Sequence, residues 1–173
     1  EPTLEAVRQQ VPDAAIVLQL YMRGGREWLD GVVRRAEEAQ CIGLCLTVDT
    51  AVYGRRERDL RNRFSSASAV DRANLDDRKG VQIVPEQARL SWETAAWLRQ
   101  RTRLPLIVKG VMAVEDALLC AEHGVDVVYL SNHGGRQLDH SAAAIDQLAT
   151  IVPALKGRCR VAVDGGMLRG TDI

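Results

Sequence analysis

Residues 125–139 read VDVVYLSNHGGRQLD. A β-branched apolar run stops abruptly and gives way to serine, asparagine, histidine, two glycines and an arginine. Nearly continuous apolarity over a short run marks a strand covered on both faces, as in a parallel sheet. Four further runs repeat the pattern: AAIVLQL (14–20), IGLCLTVDT (42–50), LPLIVKG (104–110) and RVAVDGG (160–166). The segments between them have helical periodicity. In REWLDGVVRRAEEAQ (26–40), Leu29, Val32, Val33 and Ala36 fall on one side. SWETAAWLRQRT (91–102) collects Trp92, Ala95, Ala96 and Leu98, and VEDALLCAEHG (114–124) closes on Gly124, a natural C-cap. SAAAIDQLATIVPALKG (141–157) holds a further helix ending by Pro153 or Gly157. Strict strand–helix alternation predicts an α/β fold on a parallel sheet.

All five strands end in polar or glycine residues: QLY, TVDT, VKG, SNHGG and DGG. In open sheets and barrels the C-terminal ends of the strands face ligands, so these endings gather the chemistry-bearing residues on one rim. One stretch breaks the rhythm. Residues 54–80, GRRERDLRNRFSSASAVDRANLDDRKG, are charged and serine-rich with little apolar periodicity, which predicts a mobile loop around 54–80. Its distal part, about 65–80, reads as a solvated linker, whereas Arg55 and Arg56 leave the same rim as TVDT. The 173 residues otherwise read as one partial domain.

Composition narrows the function classes. Lys plus Arg and Asp plus Glu each total 23, a balance that argues against nucleic-acid or electrostatic membrane binding. No apolar run reaches transmembrane length, and EPTLEAVRQQ lacks a signal-peptide pattern. Cys41, Cys45, Cys120 and Cys159 show no metal-ligand spacing and read as reduced packing residues of an intracellular protein, with no metal site expected. There is no GxGxxG after a strand, no P-loop and no GxSxG elbow, which removes the main evidence for a Rossmann enzyme, an NTPase or a serine hydrolase.

Among the titratable residues, His133 stands out because it follows a buried strand and is flanked by glycines that permit close approach. Arg136, three residues on, is a planar fixed cation suited to a carboxylate. A base beside a carboxylate clamp is the pairing needed to remove hydrogen from a carbon next to an acid group. Asp49, ending LTVD, either orients an imidazole or serves as a turn or helix-cap residue. His123 and His140 read as structural. Lys109 ends a buried strand, where lysine is rare unless paired, and would neutralise an anion such as a cofactor that becomes negative on reduction. DGG (164–166) fits either a phosphate-cradling turn or an ordinary one.

SNHGGRQLD (131–139) resembles the signature of the FMN-dependent 2-hydroxy acid oxidases and dehydrogenases. QLY (19–21), LTVDT (46–50), GRRERDLRNRF (54–64), LSWETAAWLR (90–99), VKG (108–110) and DGG…RGTD (164–172) follow in that family's order, nearest its glycolate oxidase-like branch. The resemblance implies a (β/α)8 TIM barrel, of which five βα units are visible and which these residues do not close alone. It implies FMN as cofactor, a small 2-hydroxy acid such as glycolate, lactate or mandelate as substrate, and oxygen or another electron acceptor. It assigns His133 as base, Asp49 as its partner, Arg56 and Arg136 as the carboxylate clamp, and Tyr21 as a substrate hydrogen-bonder. Gln19, Thr47, Lys109 and Ser131 would contact the flavin, and Asp164, Gly165 and Gly166 would begin the phosphate loop. That loop departs from the family's DGGxR, since Leu168 holds the arginine position and Arg169 follows it as the cofactor-binding arginine. The resemblance also implies a homo-oligomer, a tetramer, in the cytoplasm or peroxisome. The competing expectations are another FMN- or phosphate-binding TIM barrel and a non-catalytic barrel fragment.

Overall fold

The computed structural model describes residues 2–52, 54–64 and 86–172. The five expected strands form, each in the interior of its apolar run: β1 (Val17–Leu20), β2 (Gly43–Thr47), β3 (Leu106–Val111), β4 (Val127–Leu130) and β5 (Arg160–Val163). They make one parallel sheet in the order β1-β2-β3-β4-β5. A parallel sheet whose spatial order equals its chain order has no topological switch point, because right-handed crossovers then put every connecting helix on the same face. That is the arrangement of a barrel wall.

The helices that lie wholly within the described residues are α1 (Leu4–Gln10), α2 (Arg26–Glu38), α3 (Glu57–Arg61), α4 (Trp92–Arg101), α5 (Val114–Glu122) and α6 (Ala144–Leu155). The four helices anticipated from periodicity are α2, α4, α5 and α6. Pro153 lies inside the last turn of α6, and the chain leaves the helix at Lys156 in a left-handed conformation with φ 49°. Helix α1 was not anticipated; at seven residues it is too short to show a period, and Thr3 caps it by accepting from Ala6 N–H at 3.0 Å. Helix α3 puts a helical turn at the start of the segment expected to be a loop. Residues 65–80 of that expectation lie outside the described residues.

Registration explains where the core sits. Leu44 pairs with Leu106, and Leu46 with Val108, which pairs in turn with Val128. These side chains share one face, and with Leu130 they pack among Leu29, Leu98, Ile151 and Leu155 from the helices. The opposite face carries Thr47, Lys109, Tyr129 and Ala162, partnered in one continuous row across four strands. Coverage on both faces holds for β2, buried at all five positions. The outer strands β1 and β5 are largely half-buried or exposed, a correction to the expectation of full coverage. Among the described residues no further strand pairs with their outer edges or closes over the inner face.

Candidate active site

The inner face ends in a line of polar side chains at the C-terminal rim. Gln19 at the end of β1 donates from Nε2 to Thr47 Oγ1 on β2 at 3.1 Å. Lys109 on β3 donates from Nζ to Ser131 Oγ at 2.6 Å and pairs with Asp164 Oδ2 at 2.9 Å. Ser131 Oγ in turn donates to Asp164 Oδ2 at 3.0 Å and accepts from His133 N–H at 3.1 Å. Thr47 and Ser131 are fully buried and Lys109 nearly so. The rarity of a buried lysine thus has its explanation in a carboxylate two strands away, with the Tyr129 ring 4.9 Å beneath the ammonium. Burial, reinforced by the negative charge of Asp164, pushes the Tyr129 phenol above its ordinary range, while Lys109 pulls the other way.

Beside this row stands a histidine–aspartate pair. His133 Nδ1 lies 3.1 Å from both carboxylate oxygens of Asp49, 84 residues earlier in the chain. A carboxylate only accepts hydrogen bonds, so Nδ1 carries the proton and Nε2 is left as the basic nitrogen. This decides between the two readings of Asp49: its carboxylate serves the imidazole rather than a helix N-terminus. The backbone is shaped to make the pair meet. His133, Gly134 and Gly135 all have positive φ (58°, 66° and 69°), curling the loop after β4 back over the rim. Asn132 holds that curl by accepting from Gly135 N–H at 3.1 Å and donating to the Ala142 carbonyl at 3.2 Å. Opposite it, Gly110 (φ 107°) makes room for Asp49, since a Cβ there would fall 2.6 Å from the aspartate side chain. The Tyr21 ring lies 6.4 Å from the His133 ring, and its hydroxyl is 3.4 Å from Gln19 Nε2.

Arg56 and Arg136 meet in an adjoining cleft of about 290 Å³, which Arg55, Arg58, Gly135 and Gln137 also line. The two arginines expected to act together are therefore brought together, from loops after different strands. The DGG turn differs from the rest of the rim. Asp164 is committed to Lys109 and Ser131, while Gly165 and Gly166 (φ 112° and 83°) leave open backbone, with nothing within 4 Å of a Cβ at either. Leu168 is 89% exposed. Arg169 lies on the exposed turn that follows, and its backbone N–H, like that of Leu168, donates to Asp172 Oδ2 at 2.8 Å.

Three residues that hold this geometry carry no sequence signal of their own. Gln137 and Asn132 sit within SNHGGRQLD, and Gln87 sits in a polar stretch. Gln87 is fully buried: it accepts from Met22 N–H at 2.7 Å and donates to the Thr47 carbonyl at 2.6 Å, tying the ends of β1 and β2 together. No helix among the described residues is long and apolar enough to cross a membrane.

Comparison with known proteins gives a consistent set of relatives. A family model described as FMN-dependent dehydrogenase matches residues 1–173. An L-lactate dehydrogenase (cytochrome) of Wickerhamomyces anomalus is 40% identical across 98% of this chain and 31% of its own length. A peroxisomal (S)-2-hydroxyacid oxidase of Arabidopsis thaliana is 40% identical across 99% of this chain and 50% of its own. A solved mandelate oxidase variant with (S)-mandelic acid superposes with a TM-score of 0.86 at 38% identity, over 99% of this chain and 48% of that one. The chain thus spans half the length, or less, of the relatives it matches.

Proposed function

The chain belongs to the FMN-dependent dehydrogenase family, its five βα units being those of an unclosed TIM barrel, and from that premise we propose that it carries the rim of an enzyme oxidising a small 2-hydroxy acid to the 2-oxo acid. One observation supports this above the others: a histidine whose Nδ1 is fixed by a carboxylate stands beside a cleft holding two arginines.

The residues fit FMN. The rim row offers an amide, hydroxyls and an ammonium, the donor types that suit the pyrimidine edge of an isoalloxazine. Asp164 Oδ1 is a buried acceptor with no hydrogen-bond partner in the described structure, matched by the hydroxyl donors of a ribityl chain. Gln19, Thr47, Lys109 and Ser131 would hold the ring, and the open backbone from Gly165 onward, with Arg169, would meet the phosphate. Bound FMN supplies the two-electron acceptor.

The chain's own groups then divide the remaining work. Arg56 and Arg136 pair with the substrate carboxylate, fixing the α-carbon and supplying orientation. Tyr21 donates to the substrate. Nε2 of His133 takes the proton that leaves as alcohol becomes ketone, and Asp49 stabilises the imidazolium so formed. Two electrons and two protons leave the substrate in all: His133 takes one proton, the electrons and the other proton would pass to bound FMN, and oxygen or another acceptor would take them onward. A homo-oligomer, the tetramer that the family resemblance implies, is the assembly of this reading, and the peroxisomal name of one relative favours the peroxisome over the cytoplasm as its setting.

The test is an anaerobic titration of the FMN-loaded protein with glycolate, L-lactate and (S)-mandelate, following the flavin absorbance. Bleaching by at least one acid is expected. Bound flavin that none of the three bleaches would overturn the substrate class.

A further inference from the structure

The histidine–aspartate pair and the arginine cleft stand on two loops, and one side chain joins them. Gln137, on the loop after β4, donates from Nε2 to the Asp49 carbonyl and to the Val52 carbonyl, each at 3.2 Å, and accepts from Gly54 N–H at 3.4 Å. Both amide hydrogens and the amide oxygen are engaged, and all three partners lie on the loop after β2. The same side chain lines the cleft shared by Arg56 and Arg136. Packing adds to the junction: a Cβ at Gly54 would fall 2.1 Å from the Arg136 carbonyl oxygen and 3.0 Å from Gln137 Cα. The β2 loop is therefore pressed directly onto the β4 loop at the point where Gln137 grips it.

We propose, resting on the functional reading above, that Gln137 is a positioning residue. It sets the register between the two loops, holding Asp49 against His133 and Arg56 beside Arg136. The two bonds to carbonyls lie at the long end of the ordinary range and the one from Gly54 just beyond it, but the three converge on one loop. Losing them frees that loop to slide by a fraction of its width. A displacement near 1 Å is enough to lower a rate by about 100-fold when it misaligns catalytic groups.

Gln137→Met in the FMN-loaded protein tests this, because methionine keeps length and volume while removing all three bonds. Two readouts decide it. The ring Nδ1–H of His133, seen by ¹H–¹⁵N NMR as a proton protected by Asp49, is expected to lose that protection in the variant. Anaerobic flavin reduction by a 2-hydroxy acid is expected to slow by about 10- to 100-fold, and by a several-fold smaller factor when Asp49→Asn is already present, the arginine pair alone then being left to lose. Unchanged protection of the ring proton, or an equal loss in both backgrounds, would overturn the proposal. Should the methionine variant not fold, Gln137→Glu is read the same way: it keeps the Gly54 bond but turns a negative charge toward two carbonyl oxygens. The ring readout needs no turnover, so a wild-type protein that no 2-hydroxy acid reduces would defeat the functional reading and still leave the role of Gln137 decided.

Discussion

Replacing Asp49 with asparagine preserves the shape of the side chain and removes its charge, which isolates what the carboxylate does for His133. The pair is well shielded, with side chains 12% and 19% exposed, so solvent screens it little. Both oxygens stand 3.1 Å from Nδ1, so the imidazolium loses a charge-assisted hydrogen bond worth about 1.5–3 kcal/mol. At 1.36 kcal/mol per decade, that alone slows proton transfer by roughly 10- to 150-fold. A second loss adds to it. The asparagine amide can turn its NH2 group toward Nδ1, favouring the tautomer protonated on Nε2, which has no lone pair for the substrate. In a serine-protease triad, the same change of aspartate to asparagine costs about 10⁴-fold for this reason. The expected loss is therefore about 10²- to 10⁴-fold in the anaerobic rate of flavin reduction, followed by stopped-flow absorbance, with FMN affinity unchanged. A variant that reduces its flavin within about twofold of the wild-type rate would refute the pairing as the source of basicity.

Three further outcomes concern stability and the thiols. Gln87→Leu leaves the Met22 N–H and the Thr47 carbonyl without their buried partner, at a cost of roughly 1–3 kcal/mol each. Urea unfolding of the variant should show a loss of about 2–6 kcal/mol, and a midpoint equal to wild type would contradict the role assigned to that bridge. Burial pushes the Cys120 thiol up to about 12 and the Cys45 thiol up to about 11, the latter against the pull of Lys109. Both thiols should resist iodoacetamide near neutral pH in the native protein and react on unfolding, as read by mass spectrometry. The sign for stability follows. The folded state holds these protons more tightly, so their contribution is complete below the ordinary thiol value of 9.0 and is lost as pH rises toward 11–12. A urea midpoint that did not fall over that interval would count against their burial.

What sequence alone could reveal follows from the physics of each feature. Strand interiors were legible because burial against α2, α4, α5 and α6 demands continuous apolar runs such as GLCLT in β2. Strand ends were not, because Asp49 and Ser131 leave the ladder to serve the rim, and their polarity marks only that a turn is near. The residue types of the site were visible as His133, Asp49, Arg136 and Lys109. Their spacing did not reveal the partnership of His133 and Asp49, which only the family resemblance implied, since an 84-residue separation is bridged by the register of the sheet. Lys109 could be recognised as needing a partner, but nothing in DGG says that Asp164 supplies it. Gln87 went unmarked for a related reason, and Gln137, although inside SNHGGRQLD, was given no role. A buried amide is distinguished by what its two ends touch, and an isolated glutamine in a polar stretch leaves no periodic trace. At the DGG turn Asp164 is drawn into the rim row, Leu168 faces solvent and Arg169 lies on the exposed turn beyond it, an arrangement that the spacing of DGG…RGTD does not announce.

His133 is the proposed base of a 2-hydroxy acid oxidation at this rim. The most direct measurement is the anaerobic flavin spectrum of His133→Asn after addition of the acid that bleaches wild type. The variant is expected to bind FMN still, with an absorbance that the acid leaves unchanged. Flavin reduction at a rate near wild type, with the imidazole gone, would contradict it.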